Sequence, residues 1–317
     1  MHADWPALPY DSWKDTLATL HRWTQVAGKV QLALTPLVNH FWNAGMRVGV
    51  RGLTSGPICV QGVVYELAFD FLRDRFVIRS SEGREESLPL EPRTVADFYE
   101  KALQMLASFG IEPAISDKPC EIATEAIPFR QDTLHFAYDP EAARTWWRIL
   151  RQTVSVFEIF RSRYVGKSSP VLFWWGSFDL AVTRFSGNRA PVRPDAGPIT
   201  REAHSHEQSS AGIWPGTPEL GGPAYFAYTA PAPRGLSVQR IEPEEAWYDH
   251  GFGEFLLRYE DVRRADDPVA TLLGFLQSSY EAGARLAGWE RTLLERQRPA
   301  GQDFAGAPPE SALHPSP

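Results

Sequence analysis

Apolar residues recur with helical spacing in four segments of the chain, and each recurrence predicts a helix. The first predicted helix covers residues 11–27 and ends at Gly28, and the second begins after Thr94 as its cap. The other two open at Asp-Pro pairs, where Asp caps the helix and Pro takes its first position, at residues 139–140 and 267–268. A long helix is therefore expected at each end of both halves of the chain.

Short alternating or apolar runs between these helices predict strands, which turn residues separate. They lie at residues 46–53, 63–72, 75–80, 85–90, 177–184, 224–229 and 254–258. Short turns between neighbouring strands favour hairpins and antiparallel pairing. Groups of strands flanked by helices predict an α+β fold, in which antiparallel sheets pack against long helices.

The two halves repeat one order of elements, which favours an internal duplication of the form helix, strands, helix. The spacing from Trp42 to Arg51 equals that from Trp175 to Arg184. The alternative is that the elements of any α+β protein can be aligned in this way. We predict an N-terminal α+β half, a C-terminal α+β half that carries the site and a disordered tail rich in Pro, Ala and Gly, at residues 1–125, 126–296 and 297–317.

Length and charge narrow the functional classes. The 317 residues suffice for one large domain or two ordinary ones. A formal net charge of -7 argues against binding nucleic acid, which requires a basic face. Two distant cysteines exclude a disulfide scaffold. The sequence has neither a secretory signal pattern nor an apolar run of the roughly 20 residues that a membrane helix needs, so we expect a cytoplasmic protein that does not bind membranes.

Several segments resemble a bacterial family that is catalogued only as a domain of unknown function. They read WPALPYDSWKDTLATLHRWTQVAGK, LTPLVNHFW, FWWGSFDLAVTRFSG, SHEQSSAGIWPG and TLLGFLQSSYEAGARLAGW, and they extend nearly to Trp289. The resemblance covers most of the chain. It implies no activity, substrate or cofactor, because none is established for that family.

The strand predicted at residues 177–184 has two different faces. One face is apolar except for Arg184 at its edge, and it carries Phe178, Leu180 and Val182. The other face is small and polar, with Ser177, Asp179, Ala181 and Thr183. Such a face suits the wall of a pocket, and it suits equally a strand with one side in water. Trp175 and Gly176 favour the pocket, since glycine lets a ligand approach the backbone.

A polar cluster, His204-Ser205-His206-Glu207, opens a predicted irregular loop over residues 205–214. In an extended segment His204 and His206 would point the same way and could bind a divalent metal together with Glu207. The alternative is an exposed polar loop. Without a metal, His206 could act as a general acid or base with Asp179 as its carboxylate partner. Glycine-rich motifs for nucleotide cofactors do not occur.

These features predict a small-molecule enzyme with a His/carboxylate site in a cleft. The proposed catalytic residues are His206, Glu207 and Asp179, with Arg184 as an anion anchor. The other expected substrate-binding residues are Trp175, Ser177, Thr183, Ser209, Ser210 and Trp214. Two alternatives stay open, a non-catalytic module that binds a small ligand and an interaction protein whose aromatic residues form a homodimer.

Overall fold

A computed structural model describes residues 5–122, 126–192 and 194–296. Within these ranges the chain forms helices and two six-stranded antiparallel sheets, so the predicted α+β fold is confirmed. The tail predicted to be disordered, at residues 297–317, lies outside the described residues. The predicted boundary between the halves also falls beside the undescribed residues 123–125.

Seven α-helices, α1 to α7 in chain order, occur in the described part of the chain. They are Lys14–Leu34, Val95–Ser108, Pro140–Ser162, Pro198–Ala203, Tyr259–Arg264, Pro268–Leu286 and Arg291–Leu294. Three begin at the predicted caps: the side chain of Thr94 accepts a hydrogen bond from the backbone of α2, that of Asp139 from α3 and that of Asp267 from α6. Each cap satisfies an N–H group that the helix itself leaves without a partner.

The prediction that Gly28 ends the first helix is wrong, because α1 continues to Leu34. Gly28 is buried inside α1, and the indole ring of Trp175 lies against it. A Cβ atom at this position would lie 2.3 Å from that ring. The residue is therefore glycine because another side chain packs against the helix backbone, which is a second common role of glycine.

The first sheet contains strands β1 to β6, at Arg47–Val48, Gly52–Thr54, Ile58–Val60, Val63–Asp70, Arg75–Ser80 and Glu85–Pro89. Its strand order is β1-β2-β4-β5-β6, and β3 pairs with β4 beside β2. One long strand was predicted over residues 46–53, but residues 49–51 form a turn that divides it into β1 and β2.

The second sheet contains strands β7 to β12, at Leu172–Trp174, Asp179–Arg189, His206–Trp214, Ala224–Ala230, Trp247–Asp249 and Glu254–Arg258. Its order is β11-β12-β10-β9-β8-β7, a meander in which most neighbours in sequence are neighbours in the sheet. The loop predicted at residues 205–214 is wrong, because this segment is the central strand β9. Its polar residues do not mark a loop, because Gln208 and Ser210 of this strand face a pocket on one side of the sheet.

A continuous apolar core joins the two halves and runs from Trp5 to Trp289. The helices α3 and α6 pack against one face of the second sheet. Backbone hydrogen bonds between Met46 and Phe173, at 2.9 and 2.8 Å, connect the two sheets at their edges. Both halves contain a long helix, an antiparallel meander and a second long helix. The duplication itself stays a prediction.

Candidate functional site

A pocket of about 530 Å³ lies on the face of the second sheet opposite α3 and α6. Strands β8, β9 and β10 form its floor. Its walls come from other parts of the chain, which include the segment around His40 and Trp42, the segment at Cys120 and Glu121, the α4 segment from Ile199 to His204, and the turn at Phe252. The pocket therefore collects residues from both halves, although its floor belongs to the second.

The floor of the pocket follows the alternation of β8. Asp179, Ala181 and Thr183 line the pocket. Leu180 and Val182 are completely buried in the core on the other face. The two-sided pattern of this strand was the strongest signal in the sequence, and it separates core from pocket because successive side chains of a strand point to opposite faces.

A row of hydroxyl groups crosses the floor perpendicular to the strands. Thr183 pairs with Ser210, and Ser210 pairs with Tyr228. The Oγ1 atom of Thr183 lies 2.9 Å from Oγ of Ser210, within hydrogen-bond distance. Glu254, the first residue of β12, adds a carboxyl group next to this row. The row offers several donors and acceptors to a bound molecule.

Asp179 is a buried carboxyl group on the pocket floor. The hydroxyl of Ser177 donates a hydrogen bond to its Oδ1. Burial raises the pKa of Asp179 to about 7, the negative charge of Glu121 adds to the rise, and the hydrogen bond from Ser177 opposes it. Since burial disfavours the charged form, Asp179 exchanges its proton near neutral pH.

Glu254 has the same property on the other side of the floor. Burial raises the pKa of Glu254 to about 7, and the charges of Asp179 and Asp249 raise it further. Two carboxyl groups that titrate near neutral pH therefore face one pocket. Such perturbed groups in a cleft are a physical mark of functional sites.

Glu121 supplies a third carboxyl group, which the sequence alone does not predict. Its backbone has a positive φ of 56°, a conformation that non-glycine residues rarely adopt. Its carboxyl atoms lie 3.1 Å from the place that a Cβ atom on Gly176 would occupy. Gly176 thus leaves room for this carboxylate. A lone glutamate in an irregular segment carries no sequence pattern that could have indicated this role.

One stripe of α1 holds this end of the pocket in place. The side-chain amide of Gln25 donates to the carbonyl of Cys120 at 2.8 Å and accepts from its N–H at 2.9 Å. His21, one turn earlier, lies 2.8 Å from the carbonyl of Gly176. Gln25 is fully buried, and burial lowers the pKa of His21 to about 4. Both side chains therefore act as neutral hydrogen-bonding groups.

Aromatic side chains form most of the remaining wall. Trp174, Trp214, Phe226 and Phe252 line the pocket around the three carboxyl groups. Trp175 also lines it, and its indole Nε1 donates to the carbonyl of Ala44 at 2.8 Å, which fixes the ring. The predicted pocket residues Trp175, Ser177, Thr183, Ser210 and Trp214 all lie here.

Lys167, a cation of the chain itself, contacts His40 at the far wall of the pocket and is not part of the pocket lining. Lys167 Nζ lies 2.7 Å from His40 Nε2, and it lies above the rings of Phe185 and Trp42, at 5.0 and 5.5 Å from their centroids. His40 Nδ1 lies 3.1 Å from the carbonyl of Ala203 and so carries the hydrogen. Nε2 of His40 is then free to accept from the ammonium group.

His206 and Asp179 do not meet, so their predicted pairing as acid and base is wrong. Asp179 lies next to Leu180, which pairs with Ile213, whereas His206 pairs with Arg189. At about 3.3 Å per residue, these two positions are roughly 20 Å or more apart along the strands. The sequence could not show this, because antiparallel pairing brings the start of one strand beside the end of the next.

Two further predicted site residues face away from the pocket. Glu207 accepts hydrogen bonds from Ser186 at 2.8 Å and from the amide of Asn188 at 3.3 Å. Ser209 pairs with Arg184, and its side chain lies on the side of β9 that packs on the helices. A catalytic role for Glu207 and a substrate contact for Ser209 in this pocket are therefore wrong.

Arg184 is completely buried among aromatic rings on the core side of β8. Its guanidinium carbon lies 3.4 Å from the ring centroid of Phe160 and 4.4 Å from that of Tyr280. It also donates to the carbonyl of Phe160. Because its charge faces the core, the prediction that Arg184 anchors an anion in the pocket is wrong.

The predicted metal site is not assembled. His204 follows the end of α4 and does not belong to β9, so it does not share a strand face with His206. Its Nδ1 accepts from the amide of Gln208 at 2.9 Å. Glu207 points to the opposite face of the strand. Among the described residues, no group of three or more His, Cys, Asp or Glu side chains could hold a metal ion.

Comparison with known proteins gives a family and no activity. No curated protein and no solved structure matches the chain. In the described residues, no helix is both long and apolar enough to span a membrane. The model of a family of unknown function, DUF5996, matches residues 5–296, which is nearly the whole chain. The resemblance seen in the sequence is confirmed, and the chain belongs to the family of unknown function DUF5996.

Proposed function

We propose that this protein binds a small organic cation in the pocket on the second sheet. The main support for this proposal is the charge of the side chains that line the pocket. Three carboxyl groups, those of Glu121, Asp179 and Glu254, face the pocket, and the described lining contains neither lysine nor arginine. Asp179 is buried, Glu254 is half-buried and Glu121 is exposed. A carboxylate that is removed from water is costly unless a positive charge compensates it. A ligand with an ammonium group would provide that charge.

The aromatic walls support the same ligand class. A cation over the face of a tryptophan is attracted by the ring quadrupole, by about 0.5–2 kcal/mol depending on how far it is desolvated. Trp174, Trp175 and Trp214 surround the acidic part of the pocket. At the other end, Lys167 already covers the faces of Trp42 and Phe185. An external cation therefore has its place among the tryptophans near Asp179.

A set of three ligands with the same alkyl chain tests this proposal. Purified protein is titrated calorimetrically with hexylammonium, hexanol and hexanoate. We expect hexylammonium to bind at least about tenfold more tightly than hexanol, a difference of about 1.4 kcal/mol, and hexanoate not to bind. Equal binding of the cation and the alcohol, or preference for the anion, would contradict the proposal.

Matched variants locate the binding in this pocket. Asp179→Asn removes one of the three carboxylates at almost constant volume, and we expect it to weaken the preference for hexylammonium over hexanol. Glu219→Gln is the control, because Glu219 is an exposed carboxylate outside the pocket. Circular dichroism and thermal unfolding of both variants show whether the fold is intact. An unchanged preference in Asp179→Asn would mean that the cation binds elsewhere.

Enzymatic conversion of the bound amine is a second candidate, and it keeps the enzyme class that the sequence favours. It is supported by the pKa of Asp179, which burial raises to about 7, so that this carboxyl group can accept and return a proton at neutral pH. Thr183, Ser210 and Tyr228 would orient the substrate. The protein is incubated with a mixture of biological amines, which mass spectrometry follows over time. Amine concentrations that do not change over time would contradict enzymatic conversion and leave binding as the proposed function.

The proposal also includes a cytoplasmic location and, as an alternative, a homodimer, as the sequence predicts. A cytoplasmic location is consistent with the missing apolar spans in the described helices. A homodimer remains the alternative assembly, which light scattering of the purified protein tests. A strict monomer at all concentrations would remove it.

A further inference from the structure

The charge pattern of the pocket points to a more specific ligand, and this inference rests on the proposed function. We infer that the ligand is an aliphatic diamine, with an ammonium group at each end of an apolar chain. Two acidic poles lie on the pocket floor, and an apolar strip lies between them.

The first acidic pole combines Asp179 and Glu121. Asp179 begins β8, close to the edge strand β7, and Glu121 enters over Gly176 beside it. The second pole is Glu254, which begins β12. Since β9 and β10 lie between β8 and β12, the two poles are on opposite sides of the floor. A single ammonium group therefore cannot contact both poles at once.

The surface between the poles is apolar. Ala181, Phe226 and Leu256 form a separate buried cluster on the pocket face, and Trp174 and Trp214 pack against it. Gly212 pairs with Ala181 on one side and with Phe226 on the other, so no side chain of β9 interrupts this strip. A methylene chain over this strip is removed from water, which favours its binding. The pocket therefore matches charge, apolar chain and charge in that order.

The two poles also repel each other. Burial raises the pKa of Glu254, and the negative charge of Asp179 across the pocket adds to the rise. When both are ionised, a single ammonium group neutralises one pole and leaves the other buried without a counter-charge. A diamine places one positive charge beside each pole, and an opposite charge nearby favours the ionised form of a carboxyl group.

The test compares diamines with monoamines of equal chain length. The protein is titrated with the series from ethylenediamine to hexamethylenediamine and with the corresponding alkylamines. We expect an optimal chain length within the series, and at that length the diamine binds at least about tenfold more tightly than the monoamine. Equal affinities for diamines and monoamines at every length would overturn the inference and leave the proposed function intact. Binding of neither class would contradict the proposed function itself.

Variants of Glu254 connect the second ammonium group to the second pole. Glu254→Gln removes its charge, and we expect the diamine to bind no more tightly than the monoamine. Glu254→Asp keeps the charge on a side chain shorter by one methylene, so the optimal diamine should become longer. Glu219→Gln again serves as the control. A full diamine preference in Glu254→Gln, with a native circular dichroism spectrum, would overturn the assignment of this pole.

Discussion

The indole ring of Trp175 occupies the space that a side chain at Gly28 would need. A Cβ atom on Gly28 would lie 2.3 Å from three atoms of the ring, in the middle of helix α1. Because the next residue is Gly176, against which Glu121 lies, this contact between α1 and the turn before β8 also supports the acidic end of the pocket. The position of the helix and the position of the site therefore depend on one another.

Gly28→Ala should destabilise the protein and displace the pocket wall. Alanine is favoured over glycine in helices by about 1 kcal/mol, but the added methyl group forces Trp175 to move, and overpacking of this kind typically costs about 1–3 kcal/mol. We expect a net loss of about 1 kcal/mol or more in the free energy of unfolding, measured in urea. Gly56→Ala is the control, since nothing lies within 4 Å of its Cβ position. A stabilised Gly28→Ala variant would disprove the contact.

Gln25→Ala should weaken cation binding without a direct contact to the ligand. The substitution leaves the N–H and the carbonyl of Cys120 without their partner, and each unsatisfied buried group costs about 1–3 kcal/mol. Glu121, the next residue, then loses its fixed position over Gly176. We expect Gln25→Ala to bind hexylammonium more weakly than wild type. We also expect Glu121→Gln to reduce this affinity less in the Gln25→Ala background than in the wild-type protein. Gln104→Ala, at a surface position of α2, is the control and should change neither quantity.

Asp179→Asn should stabilise the protein at neutral and higher pH. The pKa of Asp179 is raised to about 7 in the folded state, above the value of an unfolded chain, so the folded state binds more protons between about pH 4 and 7. The wild-type group therefore lowers stability as the pH rises through this window. We expect Asp179→Asn to gain up to about 3 kcal/mol over wild type at pH 8 and almost nothing at pH 4.

The quantity to compare is the difference in free energy of unfolding between Asp179→Asn and wild type. His21 also changes the stability with pH, and it does so in the opposite direction. Burial lowers the pKa of His21 to about 4, so its contribution to stability increases with pH between about 4 and 6.5. This contribution is present in both proteins and cancels in the difference. A pH-independent difference in the free energy of unfolding would contradict the raised pKa of Asp179.

Cys120 should report ligand binding by its reaction with a thiol reagent. It lines the pocket and is half-buried, whereas Cys59 is exposed on the first sheet. We expect hexamethylenediamine to slow alkylation of Cys120 and to leave the rate at Cys59 unchanged, as peptide mass spectrometry measures. Cys59 is thus an internal control. Equal alkylation of Cys120 with and without the diamine would argue against occupancy of this pocket.

Individual helices and strands could be predicted because each depends mainly on the residues within and beside it. Asp139 and Asp267 cap helices that Pro opens, and the alternation in β8 separates its apolar face from its polar face. The segment of β9 was misread for a physical reason. Gln208 and Ser210 face a pocket, so the polar face of a central strand resembled a loop.

The composition of the site depended on pairing, which one sequence does not show. Asp179 was identified because it interrupts an apolar strand. Its neighbours could not be identified, because Glu121 and Glu254 are distant in sequence and neither belongs to a recognisable motif. The register of β8 and β9 places His206 at the end of these strands that is far from Asp179. It places Arg184 on the face of β8 that packs against the core.

Proton release on cation binding distinguishes a cation beside Asp179 and Glu254 from one bound elsewhere. Calorimetric titrations with hexylammonium in buffers of different ionisation enthalpy give the number of protons released. Since the free carboxyl groups of Asp179 and Glu254 have pKa values of about 7, a bound cation lowers these values and displaces protons near pH 6.5. We expect measurable proton release near pH 6.5, none at about pH 9, and tighter binding of hexylammonium as the pH rises through 7. Binding that releases no protons and does not depend on pH would contradict it.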